Sequence, residues 1–257
     1  MSLIRHTGAP GAALPHRRGE SEWRQEIVHV CELMWRKDYV AASDGNVSVR
    51  LGPDRFLVTA SGFSKGFIRP EQLLVIDWDA NPVGTRYGPT RDLRPSSEIL
   101  LHLEAYRRRP DIASVVHAHP PTAVALSIAG ISLARCLLPE VVMTLGLIPT
   151  TAYATPSSIE GAQVIAGLIE SYDALILRRH GSVTVGASAW DAYLKLEKLE
   201  HTARITKMLI ELGGDAPLPP EETAKLVEWR AARGQLRGSQ AEDICEACGV
   251  CHISHRG

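Results

Sequence analysis

From Ser21 onward, the apolar residues Trp23, Ile27, Val30, Cys31 and Met34 recur at helical spacing and predict an amphipathic helix that ends near Asp38. The period then shortens. Residues 45–61, GNVSVRLGPDRFLVTAS, alternate on either side of a Gly-Pro-Asp turn and predict a β-hairpin, and Leu73 to Trp78 predicts a third strand. A Gly/Pro/Arg-rich loop leads to Ser96. There Ser-Ser-Glu, followed by Ile99, Leu100, Leu103 and Tyr106, offers a cap and an apolar face for a helix that stops before Pro110. Ile112 to Val116 reads as a short strand running into His117-Ala118-His119-Pro120-Pro121, whose prolines suit the start of a helix. Further along, the pattern predicts a strand at 148–152, a helix over 158–172, strands at 174–177 and 182–185, and a long helix from Ser188 to Leu212 ended by Gly213 and Gly214. Alternating β and α elements imply an α/β fold with a mixed sheet covered by helices, and leave the strand order open.

The two ends fall outside this pattern. Residues 1–20 mix Gly, Pro and Arg without periodicity and are expected to form a flexible leader, residues 21–231 one domain, and residues 232–257 a linker and a Cys/His-rich tail. With 257 residues, 45% of them hydrophobic, the chain has the material for a sizeable core. A net charge of −1 gives no reason to expect nucleic acid or an anionic membrane as partner, which favours a small molecule. No apolar run approaches the roughly 18 residues of a membrane span, and the first 20 lack a secretory apolar stretch, so a cytoplasmic protein is expected. In that compartment Cys31 and Cys136, each alone in an apolar segment, read as buried free thiols.

The strongest chemical signal is His117-Ala118-His119 at the end of a predicted strand. Alternate residues of an extended chain, followed by a bend, can be turned onto one metal ion, and imidazole is a good zinc ligand. His180, in Leu177-Arg178-Arg179-His180-Gly181, stands at the end of another predicted strand and supplies a third ligand. Taken alone, such a pair is more often an ordinary surface or core feature.

The ordered set of motifs changes that balance. Gly45-Asn46-Val47-Ser48-Val49-Arg50, Thr59-Ala60-Ser61-Gly62, Ser96-Ser97-Glu98, His117-Ala118-His119-Pro120 and His180-Gly181 together resemble the class II aldolase/adducin family, most closely its L-fuculose-1-phosphate aldolases, over about Trp23 to Gly213. The resemblance implies a single α/β domain with a central mixed, largely antiparallel sheet covered by helices on both sides. It implies one Zn2+ per subunit held by His117, His119, His180 and Glu98, with manganese, cobalt or iron as alternative ions for the same ligands. Glu98 would also be the catalytic base; without the histidines it would read as part of a capping box. Asn46, Ser61, Gly62, Ser96 and Ser97 fall at the family's phosphate-binding positions.

The implied reaction is cleavage of a ketose 1-phosphate, such as a fuculose, 5-deoxyribulose or methylthioribulose phosphate, to dihydroxyacetone phosphate and an aldehyde, in a homotetramer with interface active sites. Alternatives on the same scaffold are a decarboxylase, epimerase or dehydratase of a phosphorylated sugar. Adducin-like loss of activity would predict missing ligands, and none is missing. Leu138 occupies the position of the family's proton-donating tyrosine, which implies a small, apolar aldehyde and leaves the acid unassigned. Glu140, two residues on, is a candidate acid or a plain surface carboxylate. The tail is not covered by the resemblance. Its Cys245, Cys248, Cys251 and His252 have the spacing of a small metal site, with a flexible docking or targeting tail as the equal alternative.

Overall fold

The computed structural model describes residues 18–84, 91–214 and 216–250. Most of the expected leader and the last seven residues, with Cys251 and His252, therefore lie outside the described residues. Six strands form one sheet: β1 (Asn46–Gly52), β2 (Arg55–Thr59), β3 (Leu73–Ile76), β4 (Ser114–Ala118), β5 (Ala174–Leu177) and β6 (Gly181–Gly186), in the order β3-β2-β1-β4-β6-β5. Every neighbouring pair is antiparallel, in keeping with the largely antiparallel sheet expected. Short turns explain part of this, because β1 joins β2 through Pro53-Asp54 and β5 joins β6 through residues 178–180, connections too short for a parallel crossover.

Helices cover both faces. On one side, α1 (Glu20–Arg36) and α7 (Ala189–Glu211) bury Ile27, Val30, Met34, Ala192, Tyr193 and Leu196 against Val47, Val49, Leu57 and Val116. On the other, α2 (Ile99–Arg108) sets Ile99, Leu103 and Tyr106 against Phe56, Val58, Val115 and Val183. The alternation Val47/Val49 against Phe56/Val58 across the β1–β2 hairpin is the period-2 signal that divides the two layers. The remaining helices are α3 (Pro121–Ile128), α4 (Pro139–Thr144), α5 (Ile159–Gln163), α6 (Ala166–Ile169), α8 (Pro220–Ala231) and α9 (Gln240–Cys248). Among the described residues no helix is long and apolar enough to cross a membrane.

Several expectations need correction. The helix expected from Ser96 begins at Ile99, because Ser96 and Ser97 sit in a turn in which the Ser96 Oγ accepts the Glu98 amide at 3.3 Å. Residues 148–152 form only isolated bridges; Pro149 cannot donate to a ladder, and Thr150 alone pairs with Ile176 of β5. The helix over 158–172 is split into α5 and α6, in a stretch weakened by Gly161 and Gly167.

The C-terminal reading changes most. Instead of an unsupported tail, α9 docks on the core with Ile244 fully buried, and the Gln240 Nε2 donates to the Ser171 carbonyl at 2.6 Å. Docking brings the Cα atoms of Cys248 and Cys136 to 5.9 Å, and the two form a disulfide across 112 residues. Cys136 is thus not a free thiol, and Cys248 is not available to a tail metal site; Cys245 is disulfide-bonded as well. Cys31 is free and buried, and burial pushes its thiol up to about 12.

Candidate metal centre

The register of the sheet assembles the site. Asn46 at the start of β1 lies opposite His117 near the end of β4, His117 lies opposite Val183, and Gly181 opens β6 directly after His180. Three strand ends therefore meet where Glu98 enters at the start of α2. Gly45 is required there: its φ is +73°, and a Cβ would stand 3.0 Å from the His117 carbonyl oxygen.

Glu98, His117, His119 and His180 each offer one ligand atom, all within 4.8 Å of one another. The Glu98 Oε2 lies 3.0 Å from the His117 Nε2, its Oε1 lies 3.1 Å from the His180 Nε2, and the His119 and His117 Nε2 atoms are 3.0 Å apart. The tautomers can be worked out. His117 Nδ1–H donates to the Ser182 carbonyl at 2.9 Å, and the His119 Nδ1 faces the Asp44 carboxylate at 3.4 Å. Both Nε2 atoms then point lone pairs at each other, an arrangement that repels unless a cation lies between them. With zinc bonds near 2.0–2.1 Å, tetrahedral ligand atoms stand about 3.3 Å apart, close to the spacings observed. The donor set fits a divalent ion.

Electrostatics agree with that fit. Burial alone would raise the Glu98 carboxyl, but the His117 and His180 rings that face its two oxygens outweigh burial and hold the group well below the usual carboxylate range. Burial, reinforced by His117 and His180, lowers His119 to about 4, which keeps that imidazole neutral and able to ligate at neutral pH.

Of the expected phosphate positions, Asn46, Ser96 and Ser97 adjoin Glu98. Asn46 Nδ2 donates to the Ser96 Oγ at 3.0 Å and to the Glu98 Oε2 at 3.3 Å; Ser157 Oγ reaches the Ser97 Oγ at 3.1 Å. The Ser61 amide donates to the Arg94 carbonyl at 2.9 Å, and Gly62 follows with a φ of +84°. A cleft lined by Ser97, Thr151, Ser157, Ser158 and Arg178 opens beside Glu98 and His180. Glu140 is not in this cluster; it is exposed in the first turn of α4, where Leu138 is the N-cap.

Sequence reasoning missed two contributors. Lys65 is buried, and its ammonium donates to the Ser43 and Phe63 carbonyls at 2.9 and 2.8 Å, bracing the turn before Asn46. His102 is fully buried behind Asn46. The i, i+4 pair His102 and Tyr106 on the apolar face of α2 is the signal that could have revealed it.

Known proteins give the same picture. The model of the Class II Aldolase and Adducin N-terminal domain matches residues 25–206. An L-fuculose phosphate aldolase of Methanococcus maripaludis is 32% identical over 187 residues, 73% of this chain and 97% of the relative. A 3-oxo-tetronate 4-phosphate decarboxylase of Escherichia coli is 31% identical over 216 residues, 82% of this chain and 97% of the relative. Among solved structures, the L-fuculose-1-phosphate aldolase of Thermus thermophilus superposes with a TM-score of 0.65 at 31% identity, covering 77% of this chain and 99% of that one. A three-histidine, one-carboxylate cluster on this antiparallel sheet, matched over most of its length, makes the chain a member of the class II aldolase and adducin family.

Proposed function

We propose that the chain is a metal-dependent carbon–carbon lyase acting on a phosphorylated sugar, and specifically an aldolase that cleaves a ketose 1-phosphate to dihydroxyacetone phosphate and a small aldehyde. The observation that carries this reading is the inclusion of Glu98 in the ligand cluster, bridging His117 and His180 with its two oxygens. A divalent ion held by His117, His119, His180 and Glu98 supplies Lewis acidity toward substrate oxygens; zinc suits the donors best, and manganese, cobalt and iron share them. Glu98 is the proton carrier, since it is an ionised carboxylate at the reacting end of the cleft and can take or return the proton at the carbon next to the carbonyl. Asn46, Ser61, Gly62, Ser96 and Ser97 bind the phosphate. The Ser61 amide is committed to Arg94, so this residue contributes its hydroxyl.

Leu138 stands at the position of the family's proton-donating tyrosine, and an apolar residue there favours a small, apolar product. A homotetramer with sites at subunit interfaces accords with the exposed Phe67, Tyr153, Ile159 and Leu212. A phosphorylated substrate does not cross membranes freely, which favours a cytoplasmic site of action.

A second reading, decarboxylation of a phosphorylated sugar acid, is favoured by Arg178, a residue of the cleft beside Glu98 and His180 whose charge suits a substrate carboxylate. One panel separates the two. Dihydroxyacetone phosphate is measured from fuculose, rhamnulose, 5-deoxyribulose and methylthioribulose 1-phosphates, and carbon dioxide from 3-oxo-tetronate 4-phosphate. The aldolase reading expects chelator-sensitive dihydroxyacetone phosphate from at least one ketose. Carbon dioxide alone would replace it with the decarboxylase.

A further inference from the structure

Behind the candidate metal centre, four polar side chains form a line that ends on Glu98. Tyr106, Ser48, His102 and Asn46 are all buried, so water does not compete for their hydrogen bonds. The Tyr106 hydroxyl lies 2.8 Å from the Ser48 Oγ, the Ser48 Oγ lies 2.7 Å from the His102 Nδ1, and the His102 Nε2 is hydrogen-bonded to the Asn46 Oδ1. The Asn46 Nδ2 completes the line with its bonds to the Ser96 Oγ and the Glu98 Oε2.

Each donor can be assigned from the Glu98 end. A carboxylate oxygen only accepts, so the Asn46 group facing it must be the NH2, and the Asn46 carbonyl must face His102. His102 then has to carry its proton on Nε2, and its Nδ1 must accept. Ser48 has a single hydroxyl proton, which goes to that Nδ1, so Tyr106 must donate to Ser48. The reverse direction would set the Asn46 carbonyl oxygen 3.3 Å from a carboxylate oxygen, two acceptors with no proton between them. Burial independently keeps His102 neutral, as a one-proton link requires, by lowering it to about 3.

We propose that His102 is a positioning residue of this site: as the Nε2–H tautomer, fixed by Ser48 and Tyr106, it holds the Asn46 amide with its NH2 toward Glu98 and the phosphate rim. His102 touches none of the metal-ligand atoms, and its effect passes entirely through Asn46. Its consequence for turnover rests on the reading of Asn46 and Glu98 given above, whereas the direction of the hydrogen bonds does not.

The test has two arms on the full-length, zinc-loaded chain. First, with 15N-labelled histidine, the His102 imidazole of the wild-type protein is expected to show a slowly exchanging Nε2–H and an unprotonated Nδ1. A proton on Nδ1 overturns the proposal, whatever the substrate proves to be and whether or not any variant folds. Second, His102→Leu is expected to lower kcat/KM for the phosphorylated substrate about 10- to 100-fold, mainly through KM, at unchanged zinc stoichiometry. His102→Gln, which keeps a donor toward Asn46, should recover most of that loss. Equal losses in both variants, a fall in kcat alone, or wild-type kinetics in His102→Leu would each overturn it. If the chain turns over none of the sugars, the proposed function fails while the tautomer still decides the inference.

Discussion

Gly181→Ala is the perturbation that the site's geometry constrains most tightly. A Cβ on Gly181 would stand 2.4 Å from the Ala118 carbonyl oxygen, 2.7 Å from the His119 Cδ2 and 3.1 Å from the His117 Cε1. Ordinary contact begins near 3.4 Å, so the nearest atom must retreat by about 1 Å. That atom is backbone in β4, paired with β6, and cannot swing aside as the end of a side chain would. Overpacking of this kind costs about 1–3 kcal/mol, or several degrees in Tm for a domain of this size. The effect on the metal should be larger in proportion. Ligand positions tolerate roughly 0.2 Å, and two of the three displaced groups are the His117 and His119 rings, so zinc affinity should fall at least about tenfold. Competition titration against a chromogenic chelator measures the affinity, and thermal unfolding of the metal-free protein measures the packing cost. Gly167→Ala is the control, because its Cβ would meet nothing within 4 Å and its helical site gains roughly 0.5–1 kcal/mol. Wild-type zinc affinity and Tm in Gly181→Ala would refute the account of how β4 and β6 set the ligands.

Three further outcomes are expected. Cys136→Ser, or reductant on the wild type, should lower the unfolding free energy by about 2–4 kcal/mol in denaturant titrations, because the disulfide closes 112 residues of chain; identical midpoints with and without reductant would contradict the pairing. Glu140→Gln should leave turnover nearly unchanged, since Glu140 is exposed and outside the ligand cluster; a drop of about a hundredfold would make it a general acid. The pH dependence of stability should carry a mark of His102. Its folded value of about 3 lies below the ordinary 6.5, so the unfolded chain takes up the proton first as pH falls. Stability from this group is complete above about pH 6.5 and lost toward pH 3. Urea unfolding of metal-free protein at pH 7, 5.5 and 4 should therefore show His102→Gln gaining on the wild type as pH falls, and a constant difference would contradict the burial argument.

The site was largely legible because its residues sit in local patterns. His117-Ala118-His119 ends a strand, His180-Gly181 fills a hairpin turn, and Glu98 opens a helix, so each side chain's address follows from short-range signals. β5 and α7 were legible for the same reason, one as a short apolar run and the other as a Ser-capped helix ended by glycine. What escaped depends on distant partners. Helix α9 follows a polar linker and owes its place to Ser171, to Asp243 accepting from the Tyr172 hydroxyl, and to Cys136 far back in the chain. The burial of Lys65 and the line through His102 arise only when β1, α2 and the loop before Asn46 come together. The strand order β3-β2-β1-β4-β6-β5 also escaped, because it depends on which distant strands pair rather than on any local pattern.

The central claim is that Glu98, His117, His119 and His180 hold one divalent ion on which activity depends. Elemental analysis of dialysed wild-type protein beside His119→Ala, each assayed before and after chelation and metal return, tests it most directly. The account predicts one ion per wild-type chain, turnover that disappears and returns with that ion, and little bound metal in His119→Ala. Full metal content in His119→Ala, or wild-type turnover that survives removal of the ion, would contradict it.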